Sequence, residues 1–177
     1  MIRCPVNKPL LYNIASPVTF LFDIPMPDSF VLHPQLQHDC ISLGHFPLCR
    51  LLLLNTHYFP WFILVPQRPH LRESFELNYA DRLQLNEEST YLAKTLAQTY
   101  HADKMNIASI GNIVPQLHIH HVVRYTTDSA WPAPVWGFAP LAAYSAEQIN
   151  NHKNLLQKTL IHDQFTHDLT RELPLAQ

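Results

Sequence analysis

The chain has 177 residues, 47% of them hydrophobic, with a formal charge of −2. That is enough apolar material for one domain with its own core, and too little positive charge for a protein that tracks nucleic-acid phosphates. Cys4, Cys40 and Cys49 form no close pair, which argues against a disulfide framework or a cysteine zinc site and for reduced thiols. No apolar run approaches the roughly 20 residues of a membrane helix. The start Met1-Ile2-Arg3-Cys4-Pro5 lacks the apolar core of a secretory signal, so a cytoplasmic protein with no membrane partner is expected.

Residues 1–28 hold Pro5, Pro9, Pro17, Pro25 and Pro27, a density that forbids a long helix and predicts an extended arm, with Val18 to Phe22 as a short edge strand. The domain proper is expected over 29–126. Strands are predicted at Asp39 to Gly44, Leu48 to Asn55 and Trp61 to Pro66, the last two joined by the short connection Thr56 to Pro60 as an antiparallel hairpin. Asn55 reads either as a turn residue or as a functional amide at a strand end.

Glu76 to Tyr100 is the clear helix, with Asn78 as N-cap. Leu83, Leu85, Leu92, Leu96 and Ala97 form a stripe to pack on the sheet, and Asp81, Glu87, Glu88 and Lys94 lie elsewhere around the wheel. A fourth strand over Lys104 to Ile110 turns at Gly111-Asn112 into a fifth over Ile113 to Arg124. Residues 127–177 follow as a tail: a rigid aromatic loop, Trp131 to Gly137, then a helix opened by the capping box Ser145-Ala146-Glu147-Gln148 and ending near Leu160. The order of elements predicts an α+β domain with a mainly antiparallel sheet of about five strands. Gly44, Gly111 and Gly137 are expected to serve most positions of positive φ. No GxGxxG or Walker loop is present, so any phosphate contact must be built differently.

The chemistry concentrates in Pro115-Gln116-Leu117-His118-Ile119-His120-His121-Val122-Val123-Arg124. On a strand, Gln116, His118 and His120 point one way and Leu117, Ile119 and His121 the other. Two imidazoles and an amide on one face are costly to bury without partners. Three readings compete. His118 and His120 bind a metal completed by a distant His38, His45 or His57; both are structural; or one is a nucleophile. Neutral histidine can attack phosphorus through one nitrogen while a hydrogen bond on the other fixes the tautomer. Gly111 then lets backbone approach phosphate, and Asn112 and Gln116 supply amide donors.

From Leu51 to Pro66, through the long helix, and from Met105 to Arg124 the chain resembles the histidine triad (HIT) family of nucleotide hydrolases and transferases. The family pattern is His-φ-His-φ-His-φ-φ, with φ apolar, commonly followed by arginine. Gln116-Leu117-His118-Ile119-His120-His121-Val122 falls on it with glutamine in the first place. A register starting at His118 would put Val122 third and lose the usual offsets of Pro115 and Arg124. The resemblance implies that His118 is the nucleophile forming a nucleotidyl-histidine intermediate, and that His120 contacts phosphate and leaving group. It implies that Asn55 binds ribose and that Gly111 and Asn112 contact phosphate. It further implies a purine nucleotide or nucleoside phosphate substrate, of the phosphoramidate or dinucleoside polyphosphate class, a homodimer, and no required cofactor. Two departures stand out besides Gln116: His121 sits where an apolar residue is usual, and Trp61-Phe62 replaces an accessory Gly-His. A nucleotide-binding module with little turnover is the alternative that these departures leave open, beside the metal-binding reading.

Overall fold

The computed structural model describes residues 29–138 and 142–168. The expected arm over 1–28, with its edge strand, lies outside the described residues. In chain order the elements are α1 (Pro34–Asp39), β1 (Cys40–His45), β2 (Cys49–Leu54) and β3 (Trp61–Pro66). A 3₁₀ turn, Ser74–Glu76, leads into α2 (Tyr79–Thr99), β4 (Lys104–Ala108), β5 (Ile119–Arg124), α3 (Ala146–Thr159) and β6 (Thr166–His167). The strands form one sheet in the order β4-β5-β3-β2-β1-β6, with every pairing antiparallel. The α+β expectation holds, with six strands in place of about five; the sixth comes from the tail.

The central strands are buried on both faces, as their near-continuous apolar runs require. Leu51, Leu53, Phe62 and Leu64 join the core under α2 and α3. Leu52, Leu54, Trp61 and Ile63 join a second core roofed by Leu36 of α1 and by Val135 and Trp136 of the aromatic loop. The sheet is therefore the middle of three layers, and the Trp131 to Gly137 segment folds back on the domain.

Local rules placed the helices well. Asn78 Oδ1 accepts from Asp81 N–H at the start of α2, and the reciprocal bonds of the Ser145/Gln148 capping box open α3. Four expectations need correction. Leu83 is half exposed, whereas Glu88 is almost fully buried, its carboxylate accepting from Leu48 and Cys49 N–H at 2.8 and 2.9 Å. α1 stands where only the approach to a strand was expected, started by Pro34 behind the N-cap His33. The fifth strand begins at Ile119, not Ile113. Pro115 has no N–H, and Leu117 N–H is drawn away to Leu71 O at 2.9 Å, so the preceding residues turn instead of pairing. Finally, positive φ is taken by Gly44, Gly137, His70 and His101, and not by Gly111.

Candidate active site

β5 carries its side chains to both layers. Ile63 pairs with His120 and Phe62 with His121, so the adjacent histidines enter opposite cores. His121 is fully buried toward α2; its Nδ1 contacts the Ile119 carbonyl at 3.2 Å and its Nε2 lies 2.8 Å from Ser89 Oγ. A carbonyl only accepts, so Nδ1 carries the proton and Nε2 accepts from the serine hydroxyl. Burial lowers its pKa to about 4. This ring is a satisfied core group, on the side away from His118 that strand alternation indicated.

His118 stands just before β5, 4% exposed, with its Nδ1 2.7 Å from the Gln116 carbonyl. By the same logic Nδ1–H donates there, and Nε2 is left with a lone pair. Burial lowers its pKa, and the nearby His33 adds to the effect against the pull of the Gln116 carbonyl. A cleft of about 380 Å³ adjoins the ring, lined by Arg72, Ser109, Gly111, Asn112 and Gln116 among others. Gly111 is close-fitting: a Cβ there would lie 3.1 Å from the Val114 carbonyl.

His120 packs edge-on to His118, ring centroids 4.7 Å apart. Its Nδ1 accepts from the Trp61 indole N–H at 2.9 Å, within the buried interior. Burial and the neighbouring imidazoles, His118 foremost, take its pKa down to about 4, against the Ile110 carbonyl. Trp136 closes on the same ring, edge-on at 5.6 Å.

The structure thus gathers His118, His120, Gly111, Asn112 and Gln116 into one region. Gln116 also fastens the stretch of chain before α1. Its Oε1 accepts from His33 N–H at 2.9 Å, and its Nε2 donates to the Val31 carbonyl at 2.8 Å. Asn55 stands at the other end of β2, beyond Leu54, where its Oδ1 accepts from Tyr144 N–H at 2.9 Å; it does not line the His118 cleft. Two participants escaped sequence reasoning. Arg72 reaches the cleft because Leu71 is bonded to Leu117, and Trp61 reaches His120 across paired strands. Trp61 was visible only as a replacement for an expected histidine. Among the described residues no group of three or more His, Cys, Asp or Glu side chains is placed to hold a metal ion.

Residues 35–127 match the HIT domain family. Among solved structures, a histidine triad protein of Marinobacter aquaeolei is 45% identical, covering 75% of this chain and 96% of that one with a TM-score of 0.73. A histidine triad protein of Bradyrhizobium japonicum is 37% identical over 75% of this chain and 99% of that one, with the same TM-score of 0.73. One of Sinorhizobium meliloti is 38% identical over 73% and 96%, with a TM-score of 0.72. No curated protein matches. Taken with the antiparallel sheet and the cleft beside His118, these matches show that the chain belongs to the HIT domain family, whose function is of the nucleotide-binding hydrolase and transferase type.

Proposed function

We propose that this protein is a nucleotide hydrolase or nucleotidyl transferase that acts on a nucleoside phosphate through His118, with Gln116, His118 and His120 in the three triad places. The observation that carries the reading is the 2.7 Å contact between His118 Nδ1 and the Gln116 carbonyl beside an open cleft. It leaves Nε2 as a neutral, oriented lone pair, which is what attack on phosphorus needs. In the first step Nε2 forms a bond to the α-phosphorus while the bond to the leaving oxygen or nitrogen breaks, and the leaving atom departs with a proton from solvent. The ring becomes positively charged, and the Gln116 carbonyl stabilises it through Nδ1–H. In the second step water attacks phosphorus, loses its proton, and the P–N electron pair returns to Nε2.

Backbone at Gly111 and the amide of Asn112 are assigned to the phosphate oxygens, and no cofactor is required. Asn55, expected at ribose, lies outside this cleft with its Oδ1 engaged by Tyr144 N–H and is given no substrate contact here. The HIT unit is taken as residues 29–126, flanked by 1–28 and 127–177, in a cytoplasmic homodimer. His118→Ala should abolish release of AMP from adenosine phosphoramidate and from dinucleoside polyphosphates; unchanged turnover would end the assignment. Calorimetry with AMP beside the same assay separates the second reading, a binding module, which gives binding and no product.

A further inference from the structure

We propose that Trp61 is a positioning residue that holds His120 as an uncharged hydrogen-bond donor, its single ring proton on Nε2; this rests on the placing of His120 in the reactive site. An indole N–H can only donate, so the 2.9 Å contact from Trp61 Nε1 makes His120 Nδ1 an acceptor. The proton of the neutral ring must then be on Nε2. A second proton has one place to go, Nδ1, where it would meet the Trp61 N–H head-on. Turning the ring over would put carbon where the indole now donates and strand a buried N–H.

The indole is itself fixed. Trp61 pairs with Val122 in the β3–β5 ladder, and its ring lies edge-on to Trp136 at 5.3 Å. The Trp136 loop is tied down in turn by Arg124, whose Nη2 donates to the Ala133 carbonyl at 3.0 Å. The titratable groups bearing on His120 are His118 and His121, and both oppose a second positive charge beside them. His118 and His120 are thereby given opposite tautomers: Nε2 of His118 keeps a lone pair, and Nε2 of His120 carries a proton that meets the Ile110 carbonyl. A nucleophile needs the first, and charge developing on phosphoryl or leaving oxygen needs the second. As a neutral donor, His120 keeps its role constant over the range in which an ordinary imidazole titrates.

Nitrogen-15 NMR of the side-chain imidazoles in the full chain tests this directly. Wild-type His120 should show a bare Nδ1 and a protonated Nε2 from about pH 5 to about pH 8. Trp61→Phe keeps an aromatic ring but removes the donor. His120 should then become a mixture of tautomers and take up a proton nearer the ordinary imidazole range, with kcat falling about fivefold or more and KM within about twofold. Trp136→Phe is the control: Trp136 packs on the same ring, but its N–H has no hydrogen-bond partner among the described residues, so the His120 tautomer should not change. A proton on Nδ1 in the wild type, or unchanged His120 signals in Trp61→Phe, would overturn the inference. Absence of nucleotide turnover in the wild type would instead strike the functional reading, since the tautomer is read without any substrate.

Discussion

Arg124 is 1% exposed, and its charge is carried into the interior by a matched set of acceptors. Nε and Nη2 donate to the two oxygens of Asp128 at 2.7 and 3.0 Å, and Nη1 donates to Asn106 Oδ1 at 2.7 Å. Asp128 also accepts from Tyr125 and Ala130 N–H, and the arginine above all holds its carboxyl below the usual range. Phe59 and Trp131 flank the guanidinium at 5.8 and 5.7 Å. Removing one partner of such a pair leaves a buried charge uncompensated, which costs more than the pair contributes. Asp128→Ala should therefore lower stability by about 3–5 kcal/mol in urea unfolding. A loss under about 1 kcal/mol would show that water reaches the guanidinium.

At the scale of elements, Gly44 decides whether β6 can dock. Its φ of +148° is one that side chains rarely adopt, and a Cβ there would collide with the Thr166 carbonyl. β6 pairs with β1 at Gly44 and His45, so any larger residue at 44 pushes the tail strand off the sheet. Gly44→Ala should destabilise the protein by about 1–3 kcal/mol and raise amide exchange at Thr166 and His167, while the β2–β3 ladder keeps its protection. What was legible beforehand follows the same division between local and distant causes. The leucine run of β2, the hairpin, Asn78 and the Ser145 box obey rules that act within a few residues, and they fell where expected. α1 has six residues and β6 two, too few for any periodicity to show. Glu88 reads as polar on a helical wheel because its partners, the N–H groups of Leu48 and Cys49, are brought from some 40 residues away. His118 and His120 were readable from their spacing. Trp61 was not, because its partner lies 59 residues along the chain, and only the β3–β5 register brings them together.

The whole molecule carries an acid sensitivity written in its buried imidazoles. His118, His120, His121 and His152 all have pKa values lowered chiefly by burial, His120 and His121 to about 4. The folded state therefore binds fewer protons than the unfolded chain wherever pH lies below about 6.5 and above those lowered values. In that window stability rises with pH, so it is complete above the unfolded value and lost as pH falls toward 4. Each of the two most shifted rings accounts for on the order of 3 kcal/mol across the window. The urea midpoint should fall steeply between about pH 7 and about pH 4.5, before the carboxylates of Asp81 and Asp128 begin to protonate. A flat midpoint over that interval would mean that the rings are solvated.

The two rims of the sheet differ in kind. On one side β6, a strand of two residues, pairs with the Gly44–His45 end of β1 and is itself too short to template a neighbour. On the other, β4 runs five residues with no partner beyond it among the described residues, and Ile107 stands 49% exposed. A longer unpaired ladder offers a second copy more backbone groups to bond than a short one does. Among the described residues, backbone pairing between molecules of this chain would therefore start at the β4 rim.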